Sequence, residues 1–205
     1  MQGYILNTIP VKNEDMLVHI LTPLSIKRLY RFYGARHSIV HLGKKIDFEE
    51  EGNGLFLPKL RNIMHLGYSW ESDLDRVYVW QRFMRLLGKH LFDIYELDNF
   101  YFNMLEMGAD RLCKQNPLRV VLEMYAELLS FEGRDDKGRQ CFICGNNIGN
   151  EVALGRSFLF AHAKCIGGSR AFKKIQILDF LSQKSTIGMN DDIVEKIWEI
   201  LKQGL

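Results

Sequence analysis

The chain has 205 residues, of which 47% are hydrophobic and 25% charged, and carries a net charge of +2. That length can bury a substantial core in one large or two small domains, and the composition excludes wholesale disorder. No apolar run approaches the roughly 20 residues needed to cross a bilayer. The first thirty residues also lack the basic start, apolar middle and small-residue cleavage site of a secretory leader. The expected setting is cytoplasmic, with no membrane partner.

Up to about residue 66 the sequence reads as short strands at 4–9, 16–21, 25–33, 38–42 and around 55–60. Turn formers separate them at 13–15, Thr22-Pro23, Gly34, Gly43 and the 52–54 cluster. Several short strands in about seventy residues predict a small closed barrel, and an OB-type barrel fits that size. Glu49, Glu50 and Glu51 read as a solvated loop.

Charge is unevenly distributed within this segment. From Leu24 to Lys45 there are Lys27, Arg28, Arg31, Arg36, Lys44 and Lys45, with His37 and His41 and no acidic residue. This is the densest one-signed field in the chain. Strand alternation over 25–33 places Lys27, Arg31 and Tyr33 outward and Ile26, Tyr30 and Phe32 inward, with Arg28 at a rim and Lys44 and Lys45 at the next turn. Outward cations beside an aromatic suit single-stranded nucleic acid, through phosphate neutralisation and base stacking with little sequence preference. A solvated barrel face protected against edge pairing is the competing reading.

From Trp70 onward the period changes to three and four. Leu74, Val77, Trp80, Met84, Leu87 and Leu91 form one helical face, with Ser72 and Asp75 as a capping box. A weaker helical pattern covers about 99–112. Asn116-Pro117 then supplies an N-cap and first-turn proline for a third helix. A fourth is expected over 170–183, and Asn190 caps a fifth. The expected organisation is a barrel domain over 1–70 and a helical domain over 71–205, an α+β chain with a small irregular insert at about 139–168.

That insert carries three of the four cysteines. Cys141 and Cys144 form a C-x2-C, and His162 and Cys165 follow seventeen residues later as H-x2-C. This spacing is that of a two-knuckle zinc ribbon, with glycines after each pair relieving the turns. Three thiolates and one imidazole fill a tetrahedron, so the expected cofactor is structural Zn²⁺. Unlinked core thiols and a disulfide are the blander readings. A zinc deaminase is disfavoured because no His-x-Glu supplies a proton shuttle. Cys113 reads as an inert thiol, no P-loop is present, and no catalytic residue is expected.

The layout of an N-terminal barrel, a helical body and a CxxCG knuckle resembles the RecO recombination mediator family. The opening GYILNTIPVKNEDMLVHILTPLSIKRLYRFYGAR is similar to that family's first strands, and CFICG is similar to the first knuckle of its zinc-bearing members. His162 stands where those members usually carry cysteine. The resemblance implies an OB-fold that binds single- and double-stranded DNA, anneals complementary strands, and works with RecR to load RecA onto DNA coated by single-strand binding protein. It implies a nucleoid-associated, non-enzymatic role in recombinational repair. It makes Lys27, Arg28, Arg31 and Arg36 the best DNA contacts and Lys44 and Lys45 further ones, joined by Tyr33 from the strand-face reading. A zinc-braced protein–protein adaptor without DNA handling is the alternative.

Overall fold

In the computed structural model, residues 1–36, 39–52, 54–168 and 171–205 are described. His37 of the basic segment, the start of the 38–42 strand, Asn53 of the 52–54 turn and the start of the 170–183 helix lie outside the described residues. The chain divides into two compact units, Met1–Lys114 and Gln115–Leu205.

The first unit opens with a closed five-stranded barrel, β1 (Gln2–Pro10), β2 (Met16–Leu21), β3 (Ile26–Arg31), β4 (Lys45–Glu51) and β5 (Lys59–His65), ordered β1-β2-β3-β5-β4. Closure comes from an antiparallel β1–β4 ladder and a short parallel β3–β5 contact at Tyr30 and Lys59. Ile5, Val18, Ile20, Leu29, Ile46, Phe48 and Leu60 fill the interior, with Val40 added from the β3–β4 connection. The start of β4 alternates buried and partly exposed residues, whereas Gly3–Leu6 of β1 and Val18–Leu21 of β2 are buried on both faces.

Two expectations in the barrel are corrected. The described part of 38–42 is a turn, and the fourth strand is instead the KIDFEEE of β4. Only Ile46 and Phe48 mark its inner face, and three consecutive glutamates obscured the alternation. On β3 the expected faces are inverted: Leu29 is fully buried, so Lys27 and Arg31 share the inward parity while Arg28, Tyr30 and Phe32 lie on the outer one. Lys27 and Arg31 escape burial only because they stand two residues either side of Leu29, toward the ends of a short strand.

Helix α1 (Leu74–His90) packs on the barrel through Trp80, whose indole N–H donates to the Gly43 carbonyl at 2.9 Å. Gly43 has φ +83, and a Cβ there would come within 2.9 Å of the Trp80 ring. Gly88 performs the same service one face along. Its missing side chain lets the helix approach the Leu6 carbonyl of β1, which a Cβ would meet at 2.8 Å. This explains a residue that otherwise costs about 1 kcal/mol relative to alanine inside a helix. The cap is Asp73 rather than Ser72: its carboxylate accepts from the Asp75 and Arg76 amides. Leu74, read as apolar-face, is exposed. Helix α2 (Phe100–Leu112) completes the unit, with Phe102 against Tyr4, which also meets Trp80 edge-on.

The second unit holds α3 (Pro117–Phe131), α4 (Lys174–Gln183) and α5 (Asp191–Leu201), with a small sheet ordered β7-β6-β8 from β6 (Glu151–Leu154), β7 (Phe160–Ala161) and β8 (Phe172–Lys173). Asn116 caps α3 and Asn190 caps α5, as their sequence positions predict. Phe158 packs edge-on to Tyr125 of α3 at 4.8 Å. Arg119 fixes the α4–α5 connection by donating to the Thr186 and Met189 carbonyls and to Asp191. The architecture is an N-terminal OB-type barrel followed by helices, with the Cys/His cluster set in the small sheet region.

Candidate metal centre and nucleic-acid interface

The metal cluster is built from two turns. Residues 141–144 form a tight turn closed by the Gly145 amide donating to the Cys141 carbonyl at 2.8 Å, with Gly145 at φ +71. A backbone bridge between Gln140 and Asn147 holds its base. The second pair sits just after β7, where Ala163–Ile166 makes one 3₁₀ turn ending at Gly167, φ +64. Together they bring Cys141, Cys144, His162 and Cys165 into one cluster whose donor atoms all lie within 4.8 Å of one another.

Cys144 Sγ is 3.4 Å from His162 Nδ1, and Cys165 Sγ is 3.8 Å from it. Sulfur and nitrogen ligands about 2.3 and 2.0 Å from a tetrahedral ion are separated by distances of this order, so the four residues fit a metal ion. The imidazole is oriented for that role. Its Nε2 lies 3.1 Å from the Asn147 carbonyl, which can only accept, so Nε2 carries the proton and Nδ1 turns its lone pair toward the sulfurs. Burial opposes ionisation of Cys141, but the amides of Cys144, His162 and Ile143 outweigh it and bring the thiol down to about 6. Burial and the neighbouring Cys144 and Cys141 sulfurs push Cys165 up to about 11. The Asn147 carbonyl, followed by Cys144, raises His162. A cation bound among these atoms would relieve the crowding of thiolates that holds Cys165 protonated.

The basic residues of the barrel segment do not form one face. Arg28 lies over the Tyr95 ring at 5.4 Å, donates to its hydroxyl, and faces Asp93 at 3.7 Å. Beyond the far end of β3, Arg36 lies over Tyr33 at 5.2 Å and pairs with Glu14. Next to it Lys59 lies over Phe32 at 5.6 Å, with Tyr30 edge-on to Phe32 at 5.0 Å. Phe32 and Tyr33 remain 42% and 53% exposed. Lys27 pairs with Glu50 at 3.1 Å, and Arg31 donates to the Leu60 carbonyl.

Lys44 and Lys45 have a different setting. Lys44 pairs with Glu71, which His65 also approaches. Lys45 pairs with Glu106 of α2 at 2.6 Å, and its side chain is only 13% exposed. Glu106 also accepts from the Tyr4 hydroxyl, so this group clamps α2 to the barrel. Phe32, expected inward, is instead exposed, and the sequence did not single out Lys59 or Tyr95. Tyr95 lies sixty-seven residues beyond the arginine it stacks on, and Lys59 reaches Phe32 only through the β3–β5 closure.

Comparison with family models matches residues 1–71 to RecO N terminal. The barrel is similar to the RecO N-terminal domain. The match spans all five strands of the barrel. A comparison with curated proteins finds no match. No helix among the described residues is long and apolar enough to cross a membrane.

Proposed function

We propose that this RecO-type chain binds single- and double-stranded DNA, anneals complementary single strands, and helps RecR load RecA onto DNA coated by single-strand binding protein, without a catalytic step, in the cytoplasm at the nucleoid. The observation that carries the reading is the RecO N-terminal match lying on a closed barrel with cation-capped aromatics on its surface. Annealing requires two polyanions held close while their bases stay unpaired. Cations lower the repulsion, and exposed rings give bases a temporary stacking partner.

The proposed contacts are Lys27, Arg28, Arg31, Tyr33 and Arg36, joined by Phe32 and Lys59. The carboxylates facing Arg28 and Arg36 do not exclude phosphate. Both pairs are well exposed, and such pairs contribute only about 0–1 kcal/mol, so a phosphate can replace the carboxylate. Lys44 and Lys45 enter the proposal as residues that hold the barrel against Glu71 and Glu106. The Cys3His centre is proposed to bind Zn²⁺ structurally through Cys141, Cys144, His162 and Cys165, fixing two turns in register.

The adaptor reading draws on one observation, the pairing of Lys27, Arg28, Arg36, Lys44 and Lys45 with acids. An annealing assay with complementary oligonucleotides separates the two. The DNA-handling reading expects annealing by the wild type and at least tenfold slower annealing by Arg28→Glu/Arg36→Glu. No acceleration by the wild-type protein would favour the adaptor.

A further inference from the structure

The turn that supplies Cys141 and Cys144 presents its two intervening side chains to solvent. Phe142 is 49% exposed and Ile143 51%. Large apolar side chains at a turn tip do nothing for the metal cluster, whose donors are the flanking sulfurs. The Phe142 ring also has a prepared seat: it lies against Gly155, where a Cβ would come within 3.0 Å of its edge.

The charges around this tip differ from those on the barrel. Arg139, two residues before Cys141, and Lys164, between His162 and Cys165, are exposed, and neither meets a carboxylate partner among the described residues. Nearby acids are already engaged, Asp135 by Lys137 at 3.0 Å and Asp136 by the Gly138 amide at 2.9 Å. An exposed ring and an apolar neighbour, flanked in sequence by unpaired cations on a turn closed by backbone hydrogen bonds, complement a ligand with both π-faces and negative charge. Single-stranded nucleic acid has both, and it can lay bases on a protruding tip without the cleft that a folded peptide side chain needs.

We infer that the Cys141–Cys144 turn is a second nucleic-acid contact, in which Phe142 and Ile143 meet bases and Arg139 and Lys164 meet phosphates of single-stranded DNA. The inference rests on the DNA-binding reading above and adds to it a site on the other structural unit. The metal cluster then has a further role: it sets the angle at which the ring is offered.

The test is a titration of the full-length, zinc-loaded protein against a fluorescein-labelled oligothymidylate, with bound zinc measured for every variant. Phe142→Ala/Ile143→Ser and Arg139→Glu/Lys164→Glu are each expected to weaken binding at least fivefold with zinc content unchanged. Affinities within twofold of wild type, alongside weakened binding by Arg28→Glu/Arg36→Glu, would confine the contact to the barrel and overturn this inference while leaving DNA binding intact. Failure of the wild type to bind would remove both readings. Unchanged oligonucleotide binding with lost binding to an acidic peptide would assign the tip to a protein partner instead. Phe142→Trp guards against a folding artefact: it is expected to bind as wild type with its emission quenched by DNA, and unquenched emission at saturation would also overturn the inference.

Discussion

His19 shows how single side chains tie the barrel's stability to the surface beside it. It is 9% exposed, its Nε2 is buried without a hydrogen-bond partner, and Arg28 stands across the β2–β3 ladder from it. Burial first, and Arg28 second, lower its pKa below the ordinary 6.5, against a smaller opposing pull from Asp93. The unfolded chain therefore takes up a proton near pH 6.5 while the folded one does not. Stability from this group is complete above that pH and is lost as pH falls below it. Urea unfolding at pH 7.5 and 5.5 should show a loss of stability at the lower pH that His19→Gln reduces; an equal loss in both proteins would contradict the assignment. Depressed carboxylates such as Glu71, whose burial is outweighed by Lys44, contribute their own loss at lower pH.

At the scale of elements, legibility followed the strength of local signals. Asn116-Pro117 and Asn190 announce helix starts because capping is a local transaction between a side chain and the next two or three amides. The Cys/His spacing was equally legible, since two short ligand pairs constrain geometry without reference to the rest of the fold. β4 was not, because Glu49, Glu50 and Glu51 break the alternation and are compensated only by distant partners, Arg61 of β5 for Glu51, Asn62 of β5 for Glu49 and Lys27 of β3 for Glu50. The β3 faces were inverted for a related reason: with Arg28, Tyr30 and Phe32 on one parity and Lys27, Leu29 and Arg31 on the other, neither is apolar enough to decide. Tertiary closure through Leu29 decides it. Chelation of the purified protein should abolish the ordered Cys141–Cys144 turn and lower the thermal midpoint, and Cys144→Ser should reproduce this without chelator; a midpoint and turn indifferent to metal would contradict a structural ion.

For the molecule as a whole, sequence and structure agree on the order of parts and differ on how charge is deployed. The basic segment reads as one field because no acid interrupts it between Leu24 and Lys45. Folding brings acids from elsewhere in the first unit: Glu14 to Arg36, Glu50 to Lys27, Glu71 to Lys44, Asp93 to Arg28 and Glu106 to Lys45. A one-dimensional charge count cannot anticipate these pairings. What remains for a polyanion is a set of cation-capped rings at separate places on the barrel, a pattern suited to a flexible single strand more than to a rigid duplex groove.

The central claim is that these barrel cations bind single-stranded DNA through its phosphates. The most direct measurement is the dependence of oligothymidylate affinity on salt, for the wild type and for Arg28→Glu/Arg36→Glu. Each single-strand phosphate contact contributes about 0.7 to the slope of log affinity against log salt, so the variant should lose roughly 1.4 units of slope along with affinity. Identical slopes for the two proteins, or a wild-type affinity indifferent to salt, would contradict the claim.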